Sequence, residues 1–290
     1  MEAPAPDGRV QIDSLLPAEM AAKAEAIGVK KAGMDAASVF VLAVLAGAFI
    51  ALGAVFSSTV VAGTAGSVPF GVVRLLAGLV FSLGLILVVV GGAELFTGNN
   101  LIVMAWANQK VTTGALLTNW IIVYLGNLVG AMGTAVLLYL SGQYALSNGA
   151  VGATALATAQ AKCSLGFAQA VVLGVLCNGL VCLAVWLTYS CRSTADKILA
   201  IVPPITAFVA AGFEHSVANM YFIPIGLFVR AGAPSSFWSA IGKTAEDYPD
   251  VTWDRFIVNN LAPVTIGNIL GGAILVGVVY WFVYLRKAKT

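Results

Sequence analysis

The sequence predicts an all-α integral membrane protein: six transmembrane helices in an inverted three-plus-three repeat, with the second and fifth helices broken. Three observations carry this reading. With 60% hydrophobic residues, 10% charged residues and a mean hydropathy of +0.94, the 290-residue chain has too little polar surface to cover a soluble globule. Apolar stretches of about 20 residues or more, the length a helix needs to cross a bilayer, recur six times. One polar, glycine-containing pattern interrupts two of those six.

The opening 34 residues are polar and charged, with no short leader ahead of a small-residue cleavage site, so no cleaved signal peptide is expected. Within them, "SLLPAEMAAKAEAIGVKKAGM" puts Pro17 in a first helical turn and Leu16, Met20, Ala24 and Ile27 on one face. That pattern predicts an amphipathic helix at the cytoplasmic membrane surface; a loose, solvated arm is the alternative. Residues 1–34 are thus a cytoplasmic N-terminal segment, and 35–290 a six-helix transmembrane domain with a short cytoplasmic C-terminal tail. The spans fall near 36–62, 72–108, 115–141, 167–190, 197–230 and 262–285.

Orientation follows from the loops. With the N-terminus inside, the cytoplasmic side collects Arg9, Lys23, Lys30, Lys31, Lys110, Arg192, Lys197, Arg286, Lys287 and Lys289. The other side has Arg74, Lys162, Arg230, Lys243 and Arg255, so the split is ten to five and both termini are expected in the cytoplasm. The longest external segment, about 231–260, carries Glu246, Asp247, Asp250 and Asp254, and Trp238, Trp253 and Trp281 suit membrane interfaces. A net charge of +2 without a basic cluster gives no reason to expect nucleic acid. Four cysteines without paired spacing, and one histidine in the whole chain, make a zinc site improbable, and no metal or cofactor is expected.

The repeat is the most informative feature. Gly92-Ala93-Glu94-Leu95-Phe96-Thr97-Gly98-Asn99 aligns with Gly212-Phe213-Glu214-His215-Ser216-Val217-Ala218-Asn219, and both stretches interrupt over-long spans. Downstream, Gly126-Asn127-Leu128-Val129-Gly130-Ala131 matches Gly267-Asn268-Ile269-Leu270-Gly271-Gly272. Three spans per half force the second half into the membrane with opposite topology. Small residues alone would also serve helix packing without a pore. In an inverted pair, however, the resumed half-helices near Thr97 and Ser216 both begin at mid-membrane. Their N-termini converge, and unpaired N–H groups with positive dipole ends favour an anion there.

"GAELFTGNNLIV", "FEHSVANMYFIP" and "PVTIGNILGG" resemble the signature stretches of the formate-nitrite transporter family, and residues 30–287 resemble its formate channels. The resemblance implies an aquaporin-like fold, a homopentamer with one pore per protomer in a bacterial inner membrane, and formate or a similar monovalent anion as substrate. It implies Thr97 and His215 as the central pore pair, Leu95 and Phe96 narrowing the inner side, and Phe81, Leu85 and Phe208 narrowing the outer side. Asn178 and Asn268 would support the centre. Lys162, in the external loop between the third and fourth spans, would bias the pore's potential. The N-terminal helix resembles a segment that closes the cytoplasmic mouth.

The residues themselves agree with that picture. An anion crossing rings of Phe and Leu loses its hydration, at prohibitive cost unless a partner or a proton offsets it. His215 could attract the anion and lend it a proton, giving neutral formic acid. Glu214 reads as a support that bonds to loop backbone N–H groups, Glu94 plays the matching part in the other half, and Asn219 is a further support. The plainer roles are a histidine tied up between helices, a threonine cap, a solvated loop lysine, and Phe and Leu rings that are simply core. An enzyme is not expected: Ser216 adjoins His215 and so points away from it, and neither H-E-x-x-H nor G-x-S-G occurs. A neutral-solute pore is the stronger rival, since a fold alone does not fix function.

Overall fold

The computed structural model describes residues 14–64 and 66–286. The first 13 residues, with Arg9, and the tail residues Lys287 and Lys289 of the charge tally lie outside the described residues.

Helix α1 (Pro17–Ala32) opens with proline at its first turn, and Glu19 reaches back to accept from the Leu16 N–H at 2.7 Å. Asp35 caps α2 (Ala36–Val61) by accepting from the Ser38 N–H. Helix α3 (Phe70–Gly91) stops at Gly92, whose φ of +78° favours a residue without a Cβ. After three extended residues the chain resumes as α4 (Phe96–Asn99), a 3₁₀ turn (Asn100–Ile102) and α5 (Val103–Ala107). Helix α6 (Thr113–Leu140) completes the first half.

The second half repeats the order: α7 (Ala150–Cys163), α8 (Phe167–Ser190), α9 (Thr194–Ala211), a stop at Gly212 with φ +78°, and α10 (Ser216–Gly232). Helix α11 (Ser235–Ile241) turns off α10 at 112°. The last span, Trp253–Leu285, strings together α12 (Trp253–Arg255), a π-helical stretch (Phe256–Leu261), α13 (Ala262–Ile269) and further π-helical turns. It begins nine residues earlier than the sequence suggests, because a wide π turn runs up to Pro263, which has no N–H to give. Among the described residues, six helices are long and apolar enough to cross a membrane: α2, α3, α6, α8, α9 and this last span.

Packing follows the repeat. Helix α2 lies against α6 and α3, α8 lies against α13, and α3 crosses to α9 between the halves. Glycine makes the tightest contacts possible. A Cβ on Gly130 would fall on the Val44 carbonyl of α2, and one on Gly271 would fall on the Val175 carbonyl of α8. The G-N-x-x-G match is therefore one helix crossing used twice.

Helix α1 packs on the protein. Its small face, Ala21, Ala24 and Gly28, is buried against the 3₁₀ turn and α5. A Cβ on Gly28 would come 3.2 Å from Ala105 Cβ, so side chains of this size allow the helix to nest in the protein. Of the residues read on one face, Met20 and Ala24 are buried and Leu16 is exposed, while Glu25 is buried and bonded to Lys110 and Asn108.

Candidate functional site

Each break is held by one asparagine. Asn127 on α6 accepts from the Phe96 N–H at 2.9 Å and donates to the carbonyls of Ala43 and Glu94. Asn268 on α13 accepts from the Ser216 N–H at 2.9 Å and donates to the carbonyls of Gly174 and Glu214. Both amides are fully buried; each satisfies an N–H and a carbonyl at its break and adds a donor to one carbonyl of a neighbouring continuous helix, Ala43 of α2 or Gly174 of α8.

A second shared motif surrounds the two glutamates. Glu94 accepts from Lys31 Nζ and Asn99 Nδ2, both at 2.7 Å; Glu214 accepts from Lys162 Nζ and Asn219 Nδ2, both at 2.7 Å. Asn119 and Asn260 accept from those same asparagines at 2.9 and 2.7 Å. The carboxylates thus take side-chain donors, not the loop backbone N–H groups expected of them; the Glu94 and Glu214 N–H groups go to the carbonyls of Leu42 and Leu173. Lys162 is likewise not in a loop but in the last turn of α7, half-buried and ion-paired. Helix α1 carries Lys31 as α7 carries Lys162, so the N-terminal helix is the repeat's counterpart of α7. The match is incomplete: Lys31 also reaches Asn99 Oδ1 at 3.0 Å, whereas Lys162 lies over the Phe222 ring and leaves Asn219 Oδ1 without a partner.

The two breaks meet at Thr97 and His215. His215 Nδ1 accepts from the Ala218 N–H at 3.0 Å, capping α10. That acceptor role places the proton of the neutral ring on Nε2, which donates to Thr97 Oγ1 at 3.0 Å. Leu95 holds the same position ahead of α4 and offers no side-chain cap. The histidine is therefore the point at which the halves differ chemically. Asn178 Nδ2 ties the halves together, donating to the carbonyls of Asn268 and Thr97 and to Asn100 Oδ1. Cys182 Sγ also donates to the Thr97 carbonyl, at 3.3 Å.

Two cavities flank this pair; His215 lines the first, and the fully buried Thr97 lines neither. One, of about 670 Å³, is lined by Arg74, Phe81, Lys162, Phe208, Glu214 and His215, among others. The other, of about 550 Å³, is lined by Lys31, Leu85, Glu94, Leu95, Gly98 and Asn99, among others, and opens beside α1. Phe81 and Phe208 meet edge to face at 5.7 Å. Leu85, expected beside them, instead faces the α1-side cavity with Leu95. It sits about one turn further along α3 towards the break, about 6 Å deeper. Phe96, expected to narrow the inner side, lines neither cavity; its ring packs on Trp120 and Tyr124 of α6.

Sequence reasoning missed Lys31, Asn119 and Asn260. A signal was present, because Asn119 and Asn260 each stand eight residues before the capping asparagine. Arg74, Asn100 and Cys182 carried no repeat signal at all.

Converging half-helices, two opposed cavities and a dry polar pair between them define a membrane pore protein. A family model described as "Formate/nitrite transporter" matches residues 18–282, and the chain belongs to that family. It is 50% identical over 275 residues to "Formate channel FocA" of Escherichia coli (strain K12), covering 95% of this chain and 96% of that one. Among solved structures it resembles "Pentameric formate channel with formate bound", with a TM-score of 0.82 and 45% identity over 87% of this chain and 98% of the other. It also resembles "FNT family ion channel", with a TM-score of 0.77 and 29% identity over 91% and 98%.

Proposed function

We propose that this chain is a channel for small monovalent anions, formate foremost, whose pore joins the two cavities across Thr97 and His215. The observation that carries the reading is the placement of that pair, where two half-helix N-termini meet between opposed cavities. The relatives named above, a formate channel and a pentameric channel with formate bound, give the substrate and a homopentamer. Outward-facing apolar side chains such as Leu75, Ile121 and Leu137 suit lipid or neighbouring copies. The chain is not an enzyme on this reading, and its relatives are channels and transporters. It sits in the bacterial inner membrane.

Phe81 and Phe208 form the constriction on one side of the centre, and Leu85 with Leu95 form it on the other. Asn178 and Asn268 position Thr97 and α10, and Glu94, Glu214 and Asn219 keep the breaks rigid. A dehydrated anion at the centre meets the Nε2–H of His215 and the hydroxyl of Thr97. A second proton can enter the ring only at Nδ1, so it requires His215 to release the Ala218 N–H. The imidazolium can then pass its Nε2 proton to a carboxylate oxygen, leaving a neutral ring protonated on Nδ1 and a neutral acid that crosses the apolar slit.

The test is formate uptake into proteoliposomes together with formate current in planar bilayers. Saturable uptake with current supports the channel; solute-driven swelling without current would make it a neutral-solute pore and overturn the proposal. The ten-to-five charge split places both termini in the cytoplasm, so reporter fusions at each end should read cytoplasmic and one within 231–260 external. Termini on opposite sides would defeat the six-span topology.

A further inference from the structure

The cavity beyond Phe81 and Phe208 is lined by two cations, Arg74 and Lys162, one carboxylate, Glu214, and His215, which is neutral while it caps α10. Two positive charges less one negative leave this mouth at +1. Lys162 and Glu214 form a 2.7 Å ion pair and largely cancel at a distance. Among the described residues, no carboxylate lies within ion-pair distance of Arg74.

The guanidinium also occupies a particular place. Its Nε donates to the Ala210 carbonyl at 3.1 Å, and its Nη2 donates to the Val209 carbonyl. Those carbonyls end α9 at the break, where the negative pole of an 18-residue helix would otherwise face the cavity. Repeat alignment equates them with Val89 and Val90 at the end of α3, where no side-chain donor is recorded among the described residues. Arg74 has no counterpart there, since Thr194 stands at the matching position.

We propose that Arg74 is a charge-selectivity residue of this mouth: it supplies positive charge that draws small anions in, and it screens the negative end of α9 from them. The inference rests on the reading of the chain as an anion channel. A surface charge acting at range loses its effect as salt shortens the screening length, from about 30 Å at 0.01 M to about 3 Å at 1 M.

The test compares formate flux into proteoliposomes at those two ionic strengths. Arg74→Gln should lower low-salt flux about tenfold and high-salt flux less than twofold. Arg74→Lys should restore most of the low-salt flux. The charge-balanced double variant Lys162→Gln/Glu214→Gln should keep the wild-type ratio of low-salt to high-salt flux, whatever its absolute flux. Because Arg74→Gln also uncaps α9, Arg74→Cys in a Cys191→Ser background gives a check within one folded protein; the other three cysteines are buried. A trimethylammonium-bearing thiol reagent should raise low-salt flux above a neutral methyl adduct, and a sulfonate-bearing one should lower it. If the three adducts conduct alike, or the double variant loses the salt dependence while Arg74→Gln keeps it, the inference is overturned. If wild-type protein carries no formate under any condition, the underlying channel reading fails instead.

Discussion

Replacing His215 by asparagine removes the component of formate uptake driven by an acidic exterior, by roughly 100-fold, the lower range of what a positioned proton donor supplies. Passive anion leak should fall only a few-fold. Asparagine is among the best N-cap residues, so it can keep the Ala218 N–H that His215 Nδ1 now accepts, and α10 should still start where it does. What it cannot do is titrate. Thr97→Val should weaken uptake in both regimes, because it deletes a neutral hydroxyl and no proton source. The measurement is uptake into proteoliposomes with and without an imposed pH gradient. Full retention of the gradient-driven component in His215→Asn would reduce His215 to a fixed hydrogen-bond donor, a role its neutral, Nε2-protonated ring already fits.

Asn268→Ala is expected to be the most destabilising of the polar substitutions. It strands the Ser216 N–H and the Glu214 carbonyl in a buried site and removes an extra donor from the Gly174 carbonyl of α8; each orphaned group costs about 1–3 kcal/mol. A loss of about 2–6 kcal/mol should lower the melting temperature in detergent by about 10 °C, or prevent the protein from accumulating. Asn127→Ala should behave alike, because its three partners are the equivalent groups of the other half. Asn178→Ala should cost less, since its amide only adds donors to carbonyls and to Asn100 Oδ1. A melting temperature within 2 °C of wild type for Asn268→Ala would show that water replaces the amide and that the break is wetter than its burial indicates.

What could be read from the sequence was whatever repeats along the chain or follows from hydropathy. The spans come from hydropathy, both breaks and the inverted order come from local patterns near Glu94 and Glu214, and the pairing of Thr97 with His215 comes from the family resemblance. Side-chain direction around a break was not readable. Leu85 and Phe81 lie one helical turn apart, yet they serve different cavities, and Phe96 adjoins Leu95 but points to α6. These outcomes depend on how α3 and α4 rotate against helices distant in sequence. The partners of Glu94 and Glu214 were hidden for the same reason: Lys31 is 63 residues from Glu94 and Lys162 is 52 from Glu214. The kinship of α1 and α7 shows only through those partners, because the residues linking the two lysines to α2 and α8 share no obvious pattern.

The capping asparagines have a bearing on biosynthesis. Asn127 draws all its partners from α2 and the first break, and Asn268 draws all of its own from α8 and the second. Each half closes its own interrupted helix, so the nascent first half can neutralise its exposed backbone in the bilayer before the ribosome has made residue 150. The groups that bind one half to the other, Asn178 foremost, are delivered only once the fourth span emerges. Insertion can thus proceed as two successive, self-satisfied steps, with pore assembly deferred to the last spans.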